Sequence, residues 1–155
     1  MSDTTSAANY FRQIGLKNAE VYSKTKWLDP GDYVLEITQV QFRDSSRHRG
    51  RTYFQAFFEV VESNNPDFLI GSRCGWQTDL SKEGTAASNI KGFLMGCLDG
   101  VEAKDIDHDF AGRLVDEKKL DGILVKADAH HITTQAGTPF TVVRWTPYVA
   151  PGDDN

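Results

Sequence analysis

Long hydrophobic runs are missing from this sequence of 155 residues. The longest apolar stretches are a few residues, such as Phe93-Leu94-Met95, whereas a membrane-spanning helix needs about 20. The first ten residues, MSDTTSAANY, lack the basic start and the apolar core of a secretory signal. The sequence therefore predicts a protein without a membrane partner that stays in the cytoplasm.

Cysteines and catalytic motifs are also scarce. Cys74 and Cys97 are the only cysteines and form no C-x-x-C motif, which favours reduced thiols. The sequence contains no G-x-S-x-G, G-x-x-x-x-G-K or G-x-G-x-x-G motif, and its carboxylates show no pairing that specifies acid–base work. We therefore expect no enzyme, no catalytic residue and no cofactor.

Metal-ligand spacings are absent as well. His130 and His131 are adjacent on a predicted strand, so their side chains point to opposite faces and cannot chelate one ion. The acidic run that begins at Asp105 resembles a calcium loop, but Phe110 stands where that loop requires glycine. The sequence predicts no metal site.

Positive charge is concentrated in one place, although the net charge is −5. The segment 43–51 carries four arginines against one aspartate: Arg43, Arg47, Arg49 and Arg51. Screening limits charge interactions to about 10 Å at moderate salt, so a local basic site can act within an acidic protein. This segment is a candidate for contacts with phosphates.

The residues after this basic segment alternate at the period of a strand. Phe54, Ala56, Phe58 and Val60 share one parity without a polar residue among them. Tyr53, Gln55, Phe57 and Glu59 share the other, and the Gln and Glu side chains predict that this face lies in solvent. Tyr53 and Phe57 would then be exposed rings beside a basic loop, which is the chemistry that holds single-stranded nucleic acid. The alternative is that the arginines solubilise a hairpin and the rings cover a neighbouring segment, such as the N-terminal arm.

The order of predicted elements is three strands, a helix and two strands. The strands are expected at 32–43, 52–62, 71–79, 122–133 and 140–146, and the helix, capped by Thr85 or Ser88, runs to about Leu98. A change of parity within the first strand predicts a bulge or bend. This order is that of a mainly β, five-stranded OB-type Greek-key barrel with a helix between strands three and four. Residues 1–30 would form an N-terminal arm, 31–148 the OB-fold domain and 149–155 a short acidic tail.

Other strands supply further candidates for the same groove. Arg73 and Gln77 share the outer face of the third strand, whereas Trp76 on its other face is predicted to be core. Lys126 and His130 lie opposite the apolar residues of the fourth strand, where a solvated strand face is an equal alternative. For the fifth strand, the parity leaves open whether Arg144 or Trp145 is inside.

Three segments in series resemble phage-encoded single-stranded DNA-binding proteins of the OB-fold type. They are GDYVLEI, TYFQAFFEVVESNNPDFLIGSRCGW and NIKGFLMGCLDG. The resemblance covers about 31–100 well and 120–148 loosely. It implies single-stranded DNA binding in phage replication or recombination, in the cytoplasm of a bacterial host, with replication or recombination proteins as partners.

The expected function is therefore sequence-independent binding of single-stranded DNA, with RNA left open, and the N-terminal arm could make a homo-oligomer. Two other functions remain. One is a protein-interaction adaptor of a virion or replisome that uses the same face, because Tyr and Arg are also enriched at protein interfaces. The other is an oligosaccharide-binding OB domain, which would not need four arginines.

Overall fold

The computed structural model describes residues 6–18, 26–45, 50–133, 137 and 139–149. Its elements, in chain order, are as follows. They are α1 (Ala7–Gln13), β1 (Gly31–Asp44), β2 (Thr52–Ser63), β3 (Arg73–Asp79), α2 (Glu83–Cys97), α3 (His108–Asp116), β4 (Leu124–Thr133) and β5 (Pro139–Pro147). All five predicted strands and the helix between the third and fourth are confirmed, with bounds that differ by a few residues.

The strands form one antiparallel sheet in the order β3-β2-β1-β4-β5. The protein is mainly β, with a five-stranded open sheet and three α-helices among its described residues. β1 is the central strand, and it pairs with β2 on one side and β4 on the other. Its first half, Gly31–Glu36, contacts β4, while its second half extends beyond that strand.

The predicted bend in β1 is confirmed. The register with β2 shifts between Val34 and Leu35 and again between Ile37 and Gln39, so Thr38 has no directly opposed partner. The Thr38 hydroxyl donates to the Phe57 carbonyl at 3.1 Å. An extra residue reverses the side-chain parity of the strand, so the residues that follow it change faces.

The inner face of the sheet is the hydrophobic core. Phe54, Ala56, Phe58 and Val60 are buried on β2, as the alternation predicts. Phe93 of α2 sits at the centre of an aromatic cluster, where its ring contacts the rings of Phe54, Phe58, Trp76 and Trp145. These edge-to-face and tilted contacts join the helix to β2, β3 and β5.

The two terminal strands of the sheet also meet through this cluster. The ring centroids of Trp76 on β3 and Trp145 on β5 are 5.2 Å apart. Trp145 is buried and Arg144 is exposed, which decides the orientation that the sequence leaves open. Trp76 is half-buried against the core, as predicted. The sheet therefore curls until its two end strands touch side chain to side chain.

The prediction that Thr85 or Ser88 caps α2 is wrong, because the helix begins at Glu83 and follows Lys82. The Asp79 carboxylate accepts a hydrogen bond from the Ser81 N–H at 2.9 Å, and the Lys82 N–H bonds the Asp79 carbonyl. This turn directly after β3 positions the Lys82 carbonyl to accept from Ala86. The strand end, rather than a capping side chain, determines where the helix starts.

Both cysteines are free and buried, and burial raises the pKa of the Cys74 and Cys97 thiols to about 12. Neither thiol forms a reactive thiolate near neutral pH.

Among the described helices, none has both the length and the apolar character needed to cross a bilayer.

Candidate nucleic-acid interface

Beyond the bend at Thr38, the face of β1, β2 and β3 that points away from the core is built from three cross-strand rows, and a fourth row, Glu36–Glu59–Arg73, lies before it. Directly opposed residues of antiparallel strands share a face, so the register assigns each row. The three rows are Arg43–Tyr53–Asp79, Gln41–Gln55–Gln77 and Gln39–Phe57–Gly75. We call these nine residues the outer face. The β1 members reach it because the bend at Thr38 reverses their parity.

A row of hydrogen-bonded glutamines crosses the outer face. Gln39 donates to Gln41 at 2.8 Å, Gln41 to Gln55 at 2.8 Å and Gln55 to Gln77 at 2.9 Å, each from amide nitrogen to amide oxygen. We call these four residues the glutamine row. It links three strands through side chains, in addition to the backbone ladder.

Gln55 corrects the prediction that this face of β2 lies in solvent. Its side chain is only 5% exposed, although its parity is the one predicted to be outside. Both the oxygen and the nitrogen of its amide are bonded, so burial leaves none of its polar atoms without a partner. A polar residue in an alternating strand therefore identifies the face opposite the core, but it does not prove that this face is exposed to solvent.

The prediction of exposed rings at Tyr53 and Phe57 is also only partly correct, because both side chains are half-buried. Tyr53 lies between Arg43 and Asp79. Phe57 packs against Trp27, with ring centroids 6.4 Å apart and planes at 36°. The alternative that a ring covers the N-terminal segment is thus realised for Phe57, while part of each ring surface still faces outward.

Trp27 reaches the outer face because residues 26–28 pair with the edge of β3. The Leu28 N–H donates to the Gly75 carbonyl at 3.0 Å, and the Gly75 N–H donates to the Lys26 carbonyl at 2.9 Å. A β-carbon on Gly75 would lie 3.1 Å from both the Phe57 and the Trp27 ring. The glycine therefore allows the close approach of the two rings at this position.

The described charges at this face are partly balanced. The Arg51 Nη1 atom lies 3.9 Å from the Asp79 Oδ2 atom, and the Arg51 side chain is about half exposed. Arg73 is directly opposite Glu59 on the neighbouring strand. A backbone hydrogen bond from Ser81, helped by the Ser81 side chain and by Arg51, holds the pKa of the Asp79 carboxyl below its ordinary value. Asp79 is therefore an anion at neutral pH and offsets some of the positive charge.

The predicted site residues do not all come together. Arg43, Tyr53, Phe57 and Gln77 lie on the outer face, Arg51 contacts its edge through Asp79, and exposed Arg73 is on the same strand as Gln77. Arg47 and Arg49 lie outside the described residues.

Lys126 and His130 are exposed but lie elsewhere on the sheet. Lys126 is opposite Val34 on β1, and His130 is opposite Val142 on β5. Arg43 is at the other end of β1 from Val34, up to roughly 30 Å away at about 3.3 Å per residue. These two side chains do not join the surface that Arg43 and Tyr53 form.

Sequence reasoning missed three members of this surface: Trp27, Gln39 and Gln41. The two glutamines follow the parity change in β1 and alternate with Val40 and Phe42, so the bend itself was the available signal. Trp27 carries no such signal, because its position depends on an edge pairing with a strand almost fifty residues away.

Metal-binding groups are not assembled in the described part of the chain, where no cluster of three or more His, Cys, Asp or Glu side chains occurs.

A comparison of the sequence with models of known protein families and with curated proteins finds no match for this chain.

Proposed function

We propose that this protein binds single-stranded DNA, largely without sequence preference, on its outer face. The observation that carries the proposal is the alignment of aromatic rings with polar amides on one surface. Tyr53 and Phe57 lie on the same face of β2 with Gln55 between them, and Trp27 extends the aromatic surface beyond Phe57. Bases of any identity can stack on such rings, at about 1–3 kcal/mol per base.

The fold supports this proposal. The strand order, with a helix between β3 and β4, is compatible with the plan of an OB barrel, and the contact between Trp76 and Trp145 brings the side chains of the two end strands together. We propose that the sheet is an OB-type barrel. In that architecture the surface of the second and third strands is a common site for oligonucleotides.

Phosphates would be met at one end of the outer face. Arg43 ends the row that contains Tyr53, and Arg51 follows from the same hairpin. Arg47 and Arg49 belong to this hairpin in sequence. The glutamine row would lie between the rings as a neutral surface that donates and accepts hydrogen bonds. We propose that the context is replication or recombination of phage DNA in a bacterial host, as the resemblance implies.

Fluorescence anisotropy of a labelled oligo-dT, titrated at several salt concentrations, tests the proposal. We expect binding at low salt that weakens as salt rises, because arginines displace counterions from phosphates. A duplex of equal length serves as the control and should bind more weakly, since its bases cannot reach the rings. Absence of binding at low salt, or tight binding that salt does not affect, would contradict the proposal.

The partial balance of positive and negative charges at this face favours one other function. Asp79 beside Arg51 and Glu59 opposite Arg73 reduce the positive potential at this face, which suits an adaptor that docks a protein partner. The adaptor function would be supported if the wild-type protein fails to bind oligo-dT but captures a protein partner in a pulldown that survives nuclease treatment. Capture of that partner should be lost in both Tyr53→Ala and Phe57→Ala.

A further inference from the structure

The helix α1 carries an apolar stripe that no other described part of the single chain buries. Ala7, Tyr10, Phe11 and Ile14 recur at i, i+3, i+4 and i+7, which places them on one side of a helix. None of the residues of α1 is buried, and Ile14 is 72% exposed. A helix of seven residues is marginal in water by itself, even with the Ser6 side chain capping it. The stripe therefore needs a surface to pack on.

The loop between β2 and β3 presents a second uncovered apolar surface. Leu69 is 68% exposed and Ile70 is 75% exposed. They border a shallow cavity of about 420 Å³, whose wall also contains Pro66 and Phe68. Adjacent exposed aliphatic side chains beside a concavity are typical of an interaction site.

This loop is held in place by hydrogen bonds. The Asn65 side chain donates to the Pro30 carbonyl at 3.0 Å and accepts from the Asp67 N–H at 2.9 Å. The Gly71 N–H donates to the Val60 carbonyl at 2.8 Å, and the Ser72 N–H donates to the Leu69 carbonyl at 3.0 Å. The apolar tip is thus preformed, so a partner would pay little entropy to order it.

The N-terminal segment joins the domain beside the same loop. The Lys26 ammonium donates to the Asp67 carbonyl and lies 4.7 Å from the centre of the Phe68 ring. The chain length between residues 18 and 26 keeps α1 within roughly 30 Å of this point. Every copy of the protein therefore carries the stripe within reach of the loop, and both are exposed.

The segment that carries the α1 stripe is basic, whereas the loop itself is acidic, with Lys26 over the Phe68 ring and Arg73 at its β3 end. Residues 6–18 contain Arg12 and Lys17 and no acidic residue, whereas residues 62–72 contain Glu62 and Asp67 and no basic residue. All four of these side chains are exposed. Opposite charges at the rim of an apolar contact favour one orientation and suppress others.

We propose that two copies of this chain associate by reciprocal docking, in which the α1 stripe of each copy packs on Leu69 and Ile70 of the other. The inference stands apart from DNA binding, because none of these residues belongs to the outer face. A two-fold axis would make the contact twice and leave no open end. Two such contacts, each with two aromatic and four aliphatic side chains, would bury on the order of 1,000 Å², which a stable interface requires.

Sedimentation equilibrium of the full chain, without DNA, gives the first test. We expect a dimer of twice the 17.3 kDa chain mass. Phe11→Ser and Ile70→Ser should each give monomers that keep the wild-type circular dichroism spectrum, since neither side chain is buried. Ile132→Ser, which alters an exposed isoleucine on β4, is the matched control and should remain dimeric. A wild-type protein that stays monomeric at its highest soluble concentration would overturn the proposal.

Directed disulfide formation gives the second test and distinguishes the modes of association. The native thiols are buried, so introduced cysteines react alone. Mild oxidation of a mixture of Ala7→Cys and Leu69→Cys chains should yield a disulfide-linked heterodimer, whereas Ala8→Cys, off the stripe, should yield far less. Self-association of the α1 helices would instead form disulfides between two Ala7→Cys chains. Docking of α1 on the loop of its own chain would form an intramolecular disulfide in a chain that carries both Ala7→Cys and Leu69→Cys. Either result would overturn the proposal.

Discussion

Gly96 of α2 lies against the backbone of Trp145 on β5, so closely that an added β-carbon would stand 2.8 Å from the Trp145 carbonyl carbon. The contact allows the helix to close one end of the curled sheet. Backbone atoms cannot move aside as a flexible side chain can, so this position admits only glycine without a shift of the helix.

Gly96→Ala should therefore destabilise the protein by about 1–3 kcal/mol, the usual cost of an overpacked core. Gly92→Ala is the matched control, because it is on the same helix and nothing lies within 4 Å of its added β-carbon. That change should stabilise the helix by about 0.5–1 kcal/mol. Urea unfolding of both variants measures the difference, and equal effects would show that the close contact is absent in solution.

Removal of Gln55 should weaken the junction of β1, β2 and β3. Gln55→Leu leaves the Gln41 donor and the Gln77 acceptor without their partner, at a cost of about 1–3 kcal/mol for a buried group, and less where water reaches them. Gln39→Leu, at the end of the row, should cost much less in the same unfolding experiment. A neutral Gln55→Leu would mean that the glutamine row contributes nothing to stability.

Tyr53→Ala should weaken binding to oligo-dT by about 1–3 kcal/mol if the ring stacks on a base. Phe42→Ala is a suitable control, since Phe42 is an exposed ring of β1 whose parity places it off the outer face. Anisotropy titrations report affinity, and circular dichroism checks that both variants fold. A loss of fold in Tyr53→Ala would assign this ring to the core and remove it from the site.

Arg43→Ala should reduce the dependence of binding on salt. Each phosphate contact on a single strand contributes about 0.7 to the slope of log K against log salt. Lys126→Ala removes the same charge from the distant part of β4 and should leave the slope nearly unchanged. An equal loss in the two variants would show that DNA follows a path across β4, which would restore Lys126 and His130 to the site.

Trp27 should report on binding directly, because Trp76 and Trp145 pack in the core and Trp27 packs against Phe57 beside the outer face. Oligo-dT should quench the tryptophan emission of the wild type, and Trp27→Phe should abolish most of that change while it retains affinity. Quenching that persists in Trp27→Phe would place the DNA away from Phe57 and residues 26–28.

Local pattern in the sequence was enough to predict the strands, the bend in β1 and the buried face of β2. Each of these depends on residues that are neighbours along one strand. The burial of Gln55 was not predictable in this way, since it requires Gln41 and Gln77 on two other strands. The position of Trp27 and the start of α2 at Glu83 likewise follow from tertiary contacts, namely the edge of β3 and the turn after Asp79.

The glutamine row gives the protein a direction that no charge provides. Gln39 donates along β1, and the Gln41 and Gln55 amides donate across the strands toward β3. The row therefore ends in the side-chain oxygen of Gln39 on β1 and in the side-chain amide hydrogens of Gln77 on β3. Turning over a single amide would set two donors or two acceptors against each other. The four side chains can reverse only together, so a ligand that crosses the strands meets an acceptor first on one side and a donor first on the other.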